Sequence, residues 1–315
     1  MRKDTASEER PSVETPEGTA MTRFVNHHSI VVGVDGSRAA LAAARWAGAI
    51  AARRGARLVV LSVVPTIDYR ISAAIVADAD ILPTLRFVAK KHAGAAVDAV
   101  RADQPDLEIT EQILEGVPGT ELLEAGETAH LLVVAATADD RITTLLIGST
   151  ALRVANKSRC PVVVWRGDVD NPLPDERPVL VGVDGSPGSD AAVGRAFELA
   201  TLLDVSVIAL HAWNDPDLLQ WTPVPDAWET LAQQEHQLLS ERLAGWSSQY
   251  PDLRVEKLVL QSPATRALLD QGANAQVIVT GSQGRNRLTG LLLGSTSQNL
   301  LHHAPCPVLV ARAGS

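Results

Sequence analysis

Short runs of Val, Ile and Leu alternate along the chain with longer stretches in which apolar residues return every three or four positions. The first half predicts strands at 29–34, 57–64, 107–114, 131–136 and 162–165. Between them the period changes to that of amphipathic helices. Ser37 fits an N-cap for a helix over 38–54, with Trp46 and Ile50 on one face. Further helices are expected over 82–102, from Pro118 to Glu127, and from Gly148-Ser149 to about Lys157. The second half predicts strands at 178–183, 205–212, 253–260, 276–280 and 307–312, with Ser186-Pro187 as its first helix start. Nearly continuous apolar strands separated by helices imply parallel pairing with both faces covered and right-handed crossovers.

The two halves are copies of one unit. Val32-Gly33-Val34-Asp35-Gly36-Ser37 recurs as Val181-Gly182-Val183-Asp184-Gly185-Ser186. Gly148-Ser149-Thr150 recurs as Gly294-Ser295-Thr296, and Cys160-Pro161-Val162 as Cys306-Pro307-Val308. A period of 146 to 149 residues marks a duplicated domain rather than a solenoid. The division expected is a disordered polar tail over 1–28, one domain over 29–166, a Pro- and Asp-rich linker over 167–177, and a second domain over 178–315. Met21 stands just upstream of the first strand as a second candidate start.

Composition narrows the classes of function. Aromatic residues make up only 3%, so the cores must be built from aliphatic side chains. A net charge of −9 argues against nucleic acid as the main partner. No apolar run approaches the length of a membrane span, and the N-terminus has no signal-like core, which leads us to expect a cytoplasmic protein. The two cysteines, Cys160 and Cys306, occupy equivalent places before a strand and read as small buried hydrophobes. His27-His28 and His302-His303 read as chance or surface pairs. There is no Gly-Lys-Ser/Thr phosphate loop, no Gly-x-Ser-x-Gly elbow and no spacing of ligands for a metal.

The chemistry-bearing segment is Gly281-x2-Gly284-x9-Gly294-Ser295, between a strand and a helix. Glycines at a strand end let backbone N–H groups approach an anion, and the following helix start adds unpaired donors and a partial positive charge. Arg285 and Arg287 add formal charge. In a doubly wound sheet this loop converges with Asp184, at the end of the first strand of its half. Asp184 could contact a ligand or serve only as a turn-former before Gly185. The first half departs from the pattern. Ala135 and Ala138 stand opposite Gly281 and Gly284, and Asp139-Asp140 opposite Arg285-Asn286. Two like charges beside a phosphate cost roughly 1–4 kcal/mol. Trp213, Trp221 and Trp228 either cover a ligand or pack the crossover.

This constellation resembles the universal stress protein family, in its tandem two-domain form and ATP-binding branch. The resemblance covers nearly everything outside the tail and linker. It implies an α/β fold of two domains, each a five-stranded parallel sheet with helices on both faces, Rossmann-like and similar to the adenine nucleotide alpha hydrolases. It implies that Val183, Asp184 and Ala212 lie on the adenosine side. It implies that Thr280, Gly281, Gly284, Arg285, Gly294, Ser295 and Thr296 hold the phosphates of ATP, with Mg²⁺ where the nucleotide brings it. Val34, Asp35, Gly148 and Ser149 retain a weaker version of the site in the first domain. It further implies a pseudo-dimer of the two domains through their last strands, and leaves a homodimer open. The function expected is a nucleotide-dependent stress-response regulator. A slow ATPase, a binder of cyclic AMP or another adenylate, and a scaffold with a vestigial site stay open beside it.

Overall fold

The computed structural model describes residues 25–66, 81–136, 147–213, 225–284 and 293–312. In the first half β1 (Ser29–Val34), α1 (Arg38–Arg54), β2 (Arg57–Pro65), α2 (Ile81–Asp103), β3 (Ile109–Gly116), α3 (Pro118–Ala125), β4 (Leu131–Ala135), α4 (Ser149–Lys157) and β5 (Val162–Trp165) follow one another. The second half repeats the series with β6 (Val179–Gly182), α5 (Pro187–Leu203), β7 (Val207–Trp213), α6 (Pro225–Gln249), β8 (Val255–Gln261), α7 (Ala264–Gly272), β9 (Val277–Gly281), α8 (Ser295–His303) and β10 (Val308–Ala311).

The helix boundaries follow from local chemistry. Ser37 Oγ accepts from Ala40 N at 3.1 Å, and Ser186 Oγ from Ser189 N at 3.2 Å, so both first helices start on a side-chain cap. Pro187 then occupies the first helical turn of α5, where a missing N–H costs nothing. The left-handed residue that ends each helix differs: Gly55 at φ +66° closes α1, and Asp204 at φ +56° closes α5. The third strand of each half begins two residues later than the apolar pattern predicts. Leu107 and Leu253 are still in a turn, their N–H groups bonded to Gln104 O and Tyr250 O.

Strand order is β3-β2-β1-β4-β5-β10-β9-β6-β7-β8 in a single ten-stranded sheet. Pairing is parallel within each half. At the centre β5 and β10 pair antiparallel, with Val162 opposite Val310, Val163 opposite Leu309 and Val164 opposite Val308. All four residues of each of these strands are buried. The core on each face is continuous across this seam. One face joins α1 and α5 over Val163, Trp165, Leu309 and Ala311, and the other joins α4 and α8 over Val162, Val164, Val308 and Val310.

One expected boundary moves. The packed part of the chain reaches back at least to Val25, which is 3% exposed. Thr128 Oγ1 donates to Val25 O at 3.3 Å, and Asn26 receives Ser29 N–H and Ser29 Oγ–H. These contacts take residues 25–28 out of the expected disordered tail; the apolar pair Phe24-Val25 is too short to leave a periodic trace. The linker is likewise fixed in place. Gln276 Nε2 donates to Asp175 O and Arg177 O, and Arg38 pairs with Asp170 at 2.7 Å. Residues 1–24 lie outside the described part.

Candidate functional site

Each half opens a crevice at the carboxyl ends of its strands, where its first strand and fourth strand run side by side. In the second domain the crevice holds about 490 Å³ and is lined by Val183, Asp184, Ala212, Thr280, Gly284 and the start of α8, among others. That volume lies in the range of small-molecule sites. Gly185 sits at φ +77° and turns the chain sharply into α5, as Gly36 does at φ +85° in the first domain. Asp184 Oδ1 accepts from Ser186 N at 2.9 Å, which makes it a turn-former. Its Oδ2 faces Gly284, where an added Cβ would stand 3.0 Å away. Asp184 is thus a turn-former whose second carboxylate oxygen faces the loop glycine.

The floor of the anion loop is built by hydrogen bonds. Gly294 N donates to Ser282 O at 2.9 Å, and Ser282 N to Ala311 O at 3.1 Å. Ser297 Oγ donates to Gly281 O at 2.6 Å, and Thr280 Oγ1 lies 3.4 Å from Ser297 Oγ. These contacts place the α8 N-terminus at the crevice with glycine as N-cap and no side chain capping it. The N–H groups of the first turn and the hydroxyls of Ser295 and Thr296 are thus the donor set that lines it. Such a set suits a phosphate group.

Gly281 has a packing role that its spacing does not suggest. It is buried at the end of β9, and a Cβ there would meet Gly188 C at 2.5 Å and Ser189 N at 3.0 Å. Gly188 in turn would drive a Cβ to 2.4 Å from Gln283 O. The two glycines let α5 press against the strand end. Arg285, Arg287, Ala138, Asp139, Asp140 and Trp221 lie outside the described residues. Trp213 is half-buried at the end of β7.

Three residues that the sequence reading passed over build the crevice from behind. Ser189 Oγ accepts from Asp184 N at 3.3 Å and Gly185 N at 3.1 Å, holding the turn. His211 is buried, with Nδ1 2.6 Å from Val183 O and Nε2 2.9 Å from Glu235 Oε2 on α6. Nδ1 is the donor to that carbonyl, which fixes Val183 at the crevice wall. A buried polar residue in an otherwise aliphatic strand was the signal available for His211. Ser189 had the spacing of a cap partner, three residues after Ser186.

The first-domain crevice holds about 450 Å³. Gly148 N donates to Ala136 O at 2.6 Å, so its loop floor matches that of the second domain. Val34, Asp35, Gly148 and Ser149 all line it, but so do Leu61, Val63, Leu85 and Val88, and Asp35 is exposed. Both cysteines are buried and free, and burial pushes the Cys306 thiol up to about 12. They are inert core residues. Among the described residues no group of three His, Cys, Asp or Glu could hold a metal, and no helix is long and apolar enough to cross a membrane.

A duplicated, doubly wound sheet with a crevice at each switch point defines a tandem Rossmann-like protein. The chain belongs to the universal stress protein family, which it matches over residues 26–166 and 176–312. It is 36% identical over 301 residues to a universal stress protein of Mycobacterium tuberculosis, covering 93% of this chain and 99% of that one. It is 33% identical over 300 residues to one of Mycolicibacterium smegmatis, covering 93% and 99%. The fold is also that of a universal stress protein from Archaeoglobus fulgidus, with a TM-score of 0.61 at 19% identity over 91% of this chain and 99% of that chain.

Proposed function

We propose that the protein binds an adenine nucleotide, ATP foremost, in the second-domain crevice, and acts in the cytoplasm as a stress-response regulator through that occupancy. The observation that carries this reading is the convergence of the uncapped α8 N-terminus, Gly284, Gly294 and Asp184 on one cavity. Phosphates would meet the first turn of α8, Ser295 and Thr296, with Mg²⁺ accompanying them. Adenosine would lie toward Val183 and Ala212, where Asp184 supplies an acceptor for a ribose hydroxyl. A ligand that binds one arrangement of the tandem better than another shifts the population by that difference alone, so no hydrolysis is required.

The first domain is proposed as a poor nucleotide site, because Ala135 and Ala138 replace the loop glycines and its wall is aliphatic. Isothermal calorimetry with ATP, AMP and cyclic AMP tests the reading. One site per chain is expected, lost in Gly284→Glu with an unchanged circular dichroism spectrum. Two equivalent tight sites would overturn the division between the domains, and no binding of any of the three would overturn the nucleotide reading.

A further inference from the structure

Two arginines cross the seam between the domains, and each ends on the helix that enters the other domain's crevice. Arg166, the residue after β5, donates through Nη1 to His302 O and Ala304 O at 3.0 Å each, at the C-terminus of α8. Arg312, the residue after β10, donates through Nη2 to Ala155 O near the C-terminus of α4. The two occupy the same place in the repeat. A second contact joins the halves at the other end of α8: Leu293 N, one residue before Gly294, donates to Asn156 Oδ1 of α4 at 3.2 Å.

Each arginine is also tied to its own crevice. In the first domain Gly148 N bonds Ala136 O, Ala136 N bonds Trp165 O, and Arg166 follows Trp165. In the second, Gly294 N bonds Ser282 O, Ser282 N bonds Ala311 O, and Arg312 follows Ala311. Both crevices are therefore linked to the far end of the opposite helix by the same short relay. α4 and α8 are nine-residue helices, too short to hold their form without tertiary support. A guanidinium on their last carbonyls satisfies orphan acceptors and complements the helix dipole.

We infer that the two crevice helices are set reciprocally across the seam: Arg166 and Asn156 of the first domain position α8 and the Leu293-Gly294 pair that leads into it, and Arg312 of the second positions α4. The α8 wall of the second-domain crevice is thus held from behind by residues of the first domain. The consequence for ligand affinity rests on the nucleotide reading; the positioning itself does not.

Hydrogen–deuterium exchange on the full chain separates the two. Arg166→Met should raise exchange in α8 about tenfold while leaving α4 protected, the scale expected for losing charge-assisted bonds to a helix end. Arg312→Met should do the converse, loosening α4 and sparing α8. Arg166→Lys, which keeps a charged donor, should restore most of the protection. Asn156→Ala is the milder variant, with faster exchange expected at Leu293 and the first turn of α8. ATP affinity should fall about tenfold in Arg166→Met and under about threefold in Arg312→Met. Equal loosening of both helices in either arginine variant, or unchanged exchange in α8 after Arg166→Met, would overturn the inference. So would unchanged exchange after Asn156→Ala. The crossed exchange pattern in the two arginine variants, together with a wild-type protein that binds no ATP, would uphold the positioning and remove only the nucleotide reading.

Discussion

The two domains share a frame and differ in what fills it. Equivalent registers hold β1 to β2 and β4 in one half and β6 to β7 and β9 in the other. Within that frame Gly188 and Gly281 of the second domain are Ala39 and Ala135 in the first, Ser189 is Ala40, and His211 is Ser62. Each exchange removes a close backbone approach or a polar support behind the crevice. The turn-forming Asp survives in both, half-buried as Asp184 and exposed as Asp35. A handful of side chains behind the loop thus decide the character of the crevice, while the strands that carry it stay the same.

The most drastic way to break the comparison is to separate the halves. Val163→Lys with Leu309→Lys places two like charges opposite each other in the buried ladder. The cost expected is on the order of 5 kcal/mol or more, seen as loss of the cooperative urea transition and a more extended scattering profile. A double variant with wild-type stability and scattering would show that the seam is dispensable.

A second experiment moves one domain toward the other. Gly281→Ala copies the first domain's residue into the second, where its methyl meets Gly188 backbone. A destabilisation of about 2–4 kcal/mol is expected from the shifted urea midpoint. An unchanged midpoint would show that α5 yields freely at this contact.

Acid provides a third. His130 lies between α1 and α5 of the two halves, near Arg54, Arg195 and Glu198. Burial, with the Arg54 and Arg195 charges, lowers its pKa to about 4 against the pull of Glu198. The folded pKa lies below the unfolded value, so between about pH 6.5 and 4 the unfolded chain takes up a proton that the folded chain refuses. Stability contributed at neutral pH is lost as pH falls through that window, by roughly 2 kcal/mol. Gln276 holds this place in the second domain, so His130→Gln should flatten the slope in urea titrations from pH 7 to 4. A slope unaltered in the variant would assign the acid sensitivity elsewhere.

The smallest effect concerns the helix ends. Asp204→Gly copies Gly55 at a left-handed position, and about 0.5 kcal/mol of added stability is expected in thermal unfolding. A fall in stability would mean that the Asp204 side chain supports the turn more than its backbone strains it.

Much of this was legible because it is local. Aliphatic runs gave the strands, and Ser37, Ser186 and Pro187 gave the helix starts. The loop spacing pointed to Gly284 and Gly294 at a cavity that also holds Asp184. What escaped depends on distant neighbours. The packing role of Gly281 needs Gly188, ninety-three residues upstream. The places of Arg166 and Arg312 depend on a helix in the opposite half, although their equivalence across the repeat was present in the sequence as a clue. Val25 belongs to the short apolar pair Phe24-Val25, which has no period to betray it.

The seam has a consequence for how such a molecule changes over generations. Where two identical chains form such a ladder, every substitution is made twice, once on each side of the axis. Joined in one chain, the two sides of the seam carry different residues: Val163 faces Leu309, and Asn156 of α4, which supports Leu293, is replaced by His302 at the matching place in α8. Covalent joining has released the halves from symmetry. One can lose its glycines while the other keeps them, and neither can exchange its partner for a better match.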